Sequence, residues 1–467
     1  MTSTQQRRHV LVVAPQAVGE WWAEAVTRAA AGDYTPRRHQ VQFLEWVADK
    51  PGAMAAVGMG GGKTLMALMA AGLVAGGGDC LQAKAVLLNQ GPTKKRAVVL
   101  KQAVEIAGST ELVCVANYDA IYQGDLGKAI QKVPWRWIIL DESHRAKAPQ
   151  GRCSKWLAAL AASNHEARRL ALTGTPMPNG MLDMYGQFRF IERSVFGDSY
   201  VRFRARFAEC NPMFPSQVKR YIRQDEFAKI TDPFVWRVAT EDVLDLPDET
   251  HQRIGVALDP DTMRFYKDLE RELTAEIGDG TVTCANALAK TVRLRQATGG
   301  YARRDGATVS ELISLKSEKR RALEDFLEDF GNRPLVVFYV FTADAAEIRD
   351  LCKATGRKYS EVSGQEKTLA AWKAGETDVI GVQLRSGAEG IDLTRSAHAV
   401  FYSVDWSPGV YEQAVRRVRR PGQSSSVCHY YHLVATNTID EAIYRSLVNK
   451  SNVVNGVLAM LSNRKEV

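Results

Sequence analysis

The sequence lacks long apolar runs, paired cysteine motifs and low-complexity tracts, and each absence excludes a class of protein. No stretch approaches the ~20 apolar residues that a membrane-spanning helix needs, so no membrane association is expected. The apolar run that follows Arg7 and Arg8, Val10 to Ala14, ends at Pro15 and is too short for the core of an export signal. A cytoplasmic location is therefore expected. The seven cysteines (Cys80, Cys114, Cys153, Cys210, Cys284, Cys352, Cys428) lie far apart with no C-x-x-C pair, which argues against a zinc site or a disulfide framework and for buried free thiols. No internal repeat recurs at solenoid periods.

What remains is ordinary globular composition. The chain has 467 residues, 45% hydrophobic and 24% charged, enough for two or three domains. A net charge of +8 permits a nucleic-acid partner without requiring one.

Short apolar runs punctuate the first half: "AMAAV" (Ala53 to Val57), "AVLL" (Ala85 to Leu88), "LVCVA" (Leu112 to Ala116), "WIIL" (Trp137 to Leu140) and "LALT" (Leu170 to Thr173). Segments of helical spacing separate them. Continuous apolar strands with helical crossovers predict a parallel α/β sheet. From about Phe196 to Lys316 aromatics and charges mix, and helices are expected to dominate. Alternation then returns with "LVVFYVF" (Leu335 to Phe341), "VIGVQL" (Val379 to Leu384) and "HAVFYS" (His398 to Ser403), a second sheet. Phe338 and Phe341 read as residues of a buried strand rather than base-stacking groups, and Trp21 and Trp22 as packing residues.

"AMAAVGMGGGKTLMALMAAG" reads as a strand, a glycine-rich turn and a helix opening at Lys63-Thr64. Gly60, Gly61 and Gly62 permit close backbone approach to phosphate. Lys63 suits the β/γ oxygens and the Thr64 hydroxyl suits Mg²⁺. Val57 stands where the general G-x-x-x-x-G-K-T (Walker A) pattern has its first glycine. In "WRWIILDESHRAK" an apolar strand delivers Asp141 and Glu142 at its C-terminal end, where parallel sheets bind ligands. Asp141 is placed to hold the metal and Glu142 to polarise an attacking water.

"QAVRRVRRPGQ" packs four arginines into five positions before Pro-Gly. At about 100° per residue, Gln413, Arg417 and Arg420 share one helix face, Arg416 lies beside it and Arg419 towards the back. Pro421 biases Arg420 away from helix. Arg416 and Arg419 read as solvated, DNA-facing or acid-paired charges.

Together these motifs resemble superfamily-two helicase-type ATPases. "DESH" resembles their DEAH-type box, and "LTGTPMPNG" (Leu172 to Gly180) their motif III in the form used by the SWI/SNF branch of double-stranded DNA translocases. "MGGGKT" resembles that branch's M-G-x-G-K-T loop, which accounts for Val57. "RRHQVQFLEW" resembles its adenine-sensing Q motif and implies that Gln40 meets the base. "SGAEGIDLT" (Ser386 to Thr394), "DWSP" (Asp405 to Pro408) and the arginine run resemble motifs V and VI. The match runs from about Thr35 to Leu447, with these motifs in family order.

The resemblance implies an α/β fold of two RecA-like lobes with ATP between them: a first lobe over residues 1–195, helical protrusions and linker over 196–316, and a second lobe with C-terminal helices over 317–467. "VWRVATEDVLDLPDET" resembles the segment that crosses between lobes. No stretch resembles a bromodomain, chromodomain, nuclease or zinc finger, so a compact motor of the phage or prokaryotic kind is expected. The resemblance further implies Arg417 and Arg420 as arginine fingers, and Gly390 and Asp392 as the motif V residues that couple nucleotide to DNA.

One segment is out of order. "HVLVVAPQAVGEWWAEA" (His9 to Ala25) is similar to motif Ia, which in the family follows the phosphate-loop helix; here it precedes Gln40. Either it is an unrelated unit and "AVLLN" serves as motif Ia, or the order is locally rearranged. The rearrangement predicts Val10 to Ala14 within the first parallel sheet, with Pro15 at the edge of Lys63 and Asp141. The expected activity is ATP-driven translocation on double-stranded DNA with ATP and Mg²⁺, through sequence-tolerant phosphate contacts. The alternatives are a strand-separating DNA or RNA helicase and an inactive motor serving as a DNA-binding or scaffold protein.

Overall fold

The computed structural model describes residues 9–31, 35–58, 60–73, 83–107, 110–210, 218–238, 246–278, 284–303, 312–314, 317–364, 366, 368–385 and 391–448. The chain divides into two compact units, Met1–Leu244 and Asp245–Val467.

The described strands of the first unit are β1 (His9–Ala14), β2 (Gly52–Val57), β3 (Lys84–Leu87), β4 (Leu112–Asn117), β5 (Trp135–Asp141), β6 (Arg168–Thr173), β7 (Ala208–Cys210), β8 (Val218–Tyr221) and β9 (Val235–Val238). Seven of them form one sheet in the order β3-β4-β1-β5-β6-β2-β9. Every pair in it is parallel. The alternation along each strand divides the core. Leu11, Val13, Ile138 and Leu140 face one layer of helices. Val10, Val12, Ile139 and Val57 face the other, with Trp22 from α1 (Gly19–Ala30), Phe43 from α2 (Arg38–Val47) and Met66 from α3 (Lys63–Ala70). Both faces are covered, which is why these strands are apolar throughout.

This settles the segment that is out of order. β1 lies inside the sheet, between β4 and β5, with Val13 opposite Leu140. Ala14 therefore ends level with Asp141, and Pro15 follows at that edge. β3, the strand of "AVLL", is the outermost strand beside β4 and does not touch β5. The placement predicted by the rearrangement, with Val10 to Ala14 in the first sheet, is thus the one observed.

The second unit contains β10 (Asp248–Val256), β11 (Tyr301–Arg303), β12 (Leu312–Ser314), β13 (Leu335–Tyr339), β14 (Tyr359–Val362), β15 (Val379–Gln383), β16 (His398–Phe401) and β17 (Val427–Ala435). Six form a second sheet, β10-β17-β16-β13-β15-β14, parallel throughout. Two details correct the sequence reading. The stretch 196–316 was expected to be poor in strands, yet β9 adds an edge to the first sheet and β10 an edge to the second. β10 runs along β17 for nine residue pairs with six of its first seven residues exposed, so it carries no apolar run to announce it. Phe338 is fully buried in β13. Phe341 lies beyond that strand, at the N-cap of the helix Thr342–Ala354, 5.0 Å from the Arg295 guanidinium.

Among the described residues no helix is long and apolar enough to cross a membrane. Cys114, Cys153, Cys210, Cys352 and Cys428 are free thiols.

Candidate active site

The phosphate-type loop joins β2 to α3. Gly60 and Gly62 both hold φ of +79°, the left-handed region that favours glycine. A Cβ on Gly61 would meet Val57 Cγ1 at 2.5 Å, so the valine that replaces the first glycine of the pattern makes Gly61 obligatory. A Cβ on Gly62 would meet Gln40 Nε2 at 2.2 Å. Gln40 is buried, accepts the Arg37 backbone N–H at 2.8 Å and thereby caps α2. His39 Nε2 lies 2.9 Å from the Gly61 carbonyl. The Q-motif-like helix thus buttresses the loop through two side chains, of which sequence reasoning singled out only Gln40. Met59 lies outside the described residues.

Lys63 opens α3 and its ammonium donates to the Val57 carbonyl at 3.1 Å. Thr64 is buried beside it. Asp141 ends β5 and is buried. Burial first, and the adjacent Glu142 carboxylate second, push its carboxyl above the usual carboxylate range; the Trp22 N–H and the Lys63 ammonium pull against that rise. Lys63 and Asp141 therefore share one electrostatic environment at the C-terminal ends of β2 and β5.

Two aromatic donors fix Asp141. The Tyr118 hydroxyl donates to its backbone carbonyl at 2.8 Å, and the Trp22 indole N–H to Oδ2 at 2.8 Å. Trp22, read as packing, is fully buried and is also this donor; Trp21 beside it is half-exposed.

Glu142 has φ +53° and ψ +53°, a left-handed conformation that costs a non-glycine residue about 1–2 kcal/mol. That turn points the chain into the short helix Ser143–Ala146. Glu142 Oε2 lies 3.3 Å from His144 Nδ1, and the same nitrogen lies 3.2 Å from the Thr173 hydroxyl. Thr173 in turn accepts the Thr175 backbone N–H at 3.1 Å. Ser143 donates to Gln187 at 2.8 Å, and Gln187 donates to the Pro176 carbonyl at 2.7 Å. The DESH turn and the "TGTP" turn are thus held together by His144, Ser143 and Gln187. No pattern along the chain points to Gln187, which lies 44 positions from Ser143.

The donor set fits a magnesium-bound phosphate: a threonine hydroxyl and a carboxylate are hard oxygen ligands, beside a lysine and a glycine cradle in which Cβ atoms at Gly61 and Gly62 would clash. Among the described residues no group of three or more His, Cys, Asp or Glu is arranged to hold a metal by itself.

The remaining candidates belong to the second unit. Gly390 lies outside the described residues. The Asp392 carboxylate accepts from the Thr394 N–H at 3.0 Å and hydroxyl at 2.8 Å. Those bonds and the Arg420 charge hold its carboxyl below the usual range, against burial as the largest single influence. Arg417 is buried in the last turn of the helix Pro408–Val418, and its carbonyl accepts the Leu393 N–H at 3.1 Å. That helix ends at Val418, so Arg420 is not placed by helical periodicity; it sits in the turn before Pro421 and donates to the Ile391 carbonyl at 3.4 Å. Arg419 donates to the Pro247 carbonyl at 2.6 Å and lies 3.7 Å from Glu249. The structure thus joins Asp392, Arg417 and Arg420 within one unit, and Lys63, Thr64, Asp141 and Glu142 within the other.

The SNF2-related domain matches residues 82–300 and the helicase conserved C-terminal domain matches residues 318–422. Protein p41 of the Acyrthosiphon pisum secondary endosymbiont phage 1 is 28% identical over 71% of this chain and 74% of its own. The SWI/SNF-related matrix-associated actin-dependent regulator of chromatin subfamily A member 1 of Mus musculus is 27% identical over 71% of this chain. The chain spans about a third of that protein's length, 32%. The solved Sulfolobus solfataricus SWI2/SNF2 ATPase core in complex with dsDNA is similar over 89% of this chain and 91% of its own, at 22% identity and a TM-score of 0.36. The two domain matches, the first covering Asp141, Glu142 and "LTGTPMPNG" and the second covering Asp392, Arg417 and Arg420, place the chain in the superfamily-two helicase-type ATPases, in the SWI/SNF-like branch.

Proposed function

We propose that this chain hydrolyses ATP with Mg²⁺ and uses the cycle to move along double-stranded DNA in the cytoplasm. The observation that carries the reading is the convergence of Lys63, Thr64, Asp141 and Glu142 at one edge of one parallel sheet. Lys63 and the loop N–H groups bind the β/γ-phosphates. Thr64 and Asp141 hold the metal, which when bound supplies charge neutralisation on the phosphate oxygens. Glu142 orients and deprotonates the attacking water. Gln40 meets the adenine. Arg417 and Arg420 act as fingers on the γ-phosphate, and Gly390 and Asp392 relay nucleotide state to DNA. The net charge of +8 supports contact with the DNA backbone.

The inactive-motor alternative drew its weight from the segment that is out of order. That segment supplies β1 and the Trp22 bond to Asp141, which supports an intact catalytic edge instead.

Steady-state ATPase assays with and without duplex DNA test the proposal. Stimulation by duplex DNA at low salt, lost as salt rises, is the expected outcome, because each phosphate contact releases counterions. Equal rates with and without nucleic acid at low salt would refute translocation. Displacement of a triplex strand without unwinding of a tailed duplex separates the translocase from a strand-separating helicase.

A further inference from the structure

Asp141 is buried, and an ionised carboxylate in such a place needs hydrogen bonds to stay ionised and to keep one rotamer. Its Oδ2 receives the Trp22 indole N–H at 2.8 Å from a residue 119 positions away in sequence. An indole has one donor and no acceptor, so this bond has only one polarity. Ring burial alone does not require it: the indole N–H groups of Trp236 and Trp372 are buried without an acceptor, and that of Trp135 takes a neutral carbonyl, Ile130, at 2.8 Å. Trp22 also cannot drift. It is fully buried between the sheet and its own helix, and the strand that precedes that helix is wedged between β4 and β5. Asp141 is thus clamped at both ends, by Tyr118 on the main chain and Trp22 on the side chain.

We propose that Trp22 is a positioning residue for the metal site: its N–H fixes the Asp141 carboxylate so that the second oxygen is presented to the nucleotide-bound Mg²⁺. This rests on the ATPase reading above. It also gives the N-terminal segment a chemical task, since the strand that is out of sequence order delivers the group that aims the metal carboxylate. A hydrogen bond that orients a ligand from behind is worth about 10–100-fold in metal affinity or activity.

The test is equilibrium binding of ADP by calorimetry, in EDTA and across a Mg²⁺ titration, on the full chain. Trp22→Phe keeps an aromatic ring but removes the donor. The expected result is a Mg²⁺ midpoint raised about 10–100-fold, with ADP affinity in EDTA unchanged. Trp21→Phe, at the half-exposed neighbour, leaves the midpoint where it is. Should Trp22→Phe not fold, benzothienylalanine at position 22 preserves the bicyclic shape without the N–H and is expected to give the same shift. A wild-type midpoint in a folded donor-free variant overturns the role of Trp22 while leaving the ATPase reading intact. A wild-type chain that binds no ADP, with or without Mg²⁺, overturns that reading itself.

Discussion

The nucleotide edge of the first unit and the arginine helix of the second are held in different ways. In the first, the functional groups are fixed by long-range bonds: Trp22 and Tyr118 on Asp141, His39 and Gln40 against the loop, His144 between Glu142 and Thr173. In the second, the helix stops at Val418. Arg420 leans on one carbonyl at 3.4 Å, whereas Arg419 is held at 2.6 Å. The difference teaches where preorganisation lies. The groups proposed as phosphate and metal ligands are set in advance by the sheet, while Arg420, one of the two arginines proposed for the γ-phosphate, is the more loosely aimed of them.

The largest expected effects break the fixed edge itself. Lys63→Ala should abolish hydrolysis and weaken nucleotide binding, because it removes the cation assigned to the β/γ-phosphates. Glu142→Gln should retain ATP and stop turnover. Binding and single-turnover measurements separate the two, and wild-type turnover in Glu142→Gln would remove the general-base assignment.

Next come the arginines of the second unit. Arg417→Ala or Arg420→Ala should lower turnover by about 10³–10⁵ with ATP still bound, the size of an arginine-finger effect. Arg419→Ala should cost only a few-fold, since its partners are Pro247 and Glu249. An inactive Arg419→Ala beside an active Arg420→Ala would reverse the assignment.

The legibility of the sequence follows the same divide. Buried parallel strands such as "WIIL" and "LVVFY" are continuous apolar runs, and a phosphate loop followed by a strand-end Asp-Glu has few other uses, so both could be read directly. β10 and β14 could not. "DETHQRIGV" is an exposed edge strand and "YSEV" carries a glutamate that bonds Tyr339 and Arg349. Neither shows an apolar run. The partners of the site residues were hidden for another reason: Trp22 meets Asp141, and Ser143 meets Gln187, across 119 and 44 positions, distances over which no periodicity carries information. The end of the arginine helix was half legible. Pro421 marked the break, but helical spacing was carried two residues too far, to Arg420.

The position of β1 yields a stability contrast within the first sheet. Leu11 is fully buried at the centre, and Leu11→Ala should cost about 2–5 kcal/mol from lost burial and the cavity left behind. Val86 lies in the edge strand β3 and is only half-buried, so Val86→Ala should cost on the order of 1 kcal/mol or less. Urea midpoints at constant m-value measure both. Equal losses would mean that β1 contributes no more to the sheet than its outermost strand.

The last contrast separates the two units by pH. The second sheet buries histidines: His432 is 1% exposed, bonded to the Tyr411 hydroxyl at 2.9 Å, and burial followed by the nearby His251 pushes its pKa down to about 3. His398 falls to about 4, from burial, His429 and Arg333. A histidine whose folded pKa is depressed contributes its stability fully above the unfolded value of about 6.5, and loses it as pH falls from there towards the folded value, because the unfolded chain binds the proton first. For His432 the loss is about 1.4 kcal/mol per pH unit within that window. Hydrogen exchange followed by peptide, corrected for intrinsic rate, should therefore show β16 and β17 losing protection between pH 7 and pH 5.5 while β5 and β6, which contain no histidine, hold theirs. His432→Gln, which can keep a hydrogen bond to Tyr411 but cannot titrate, should blunt the loss in β17. Equal loss of protection in both sheets, or no change in His432→Gln, would assign the acid sensitivity to groups other than these histidines.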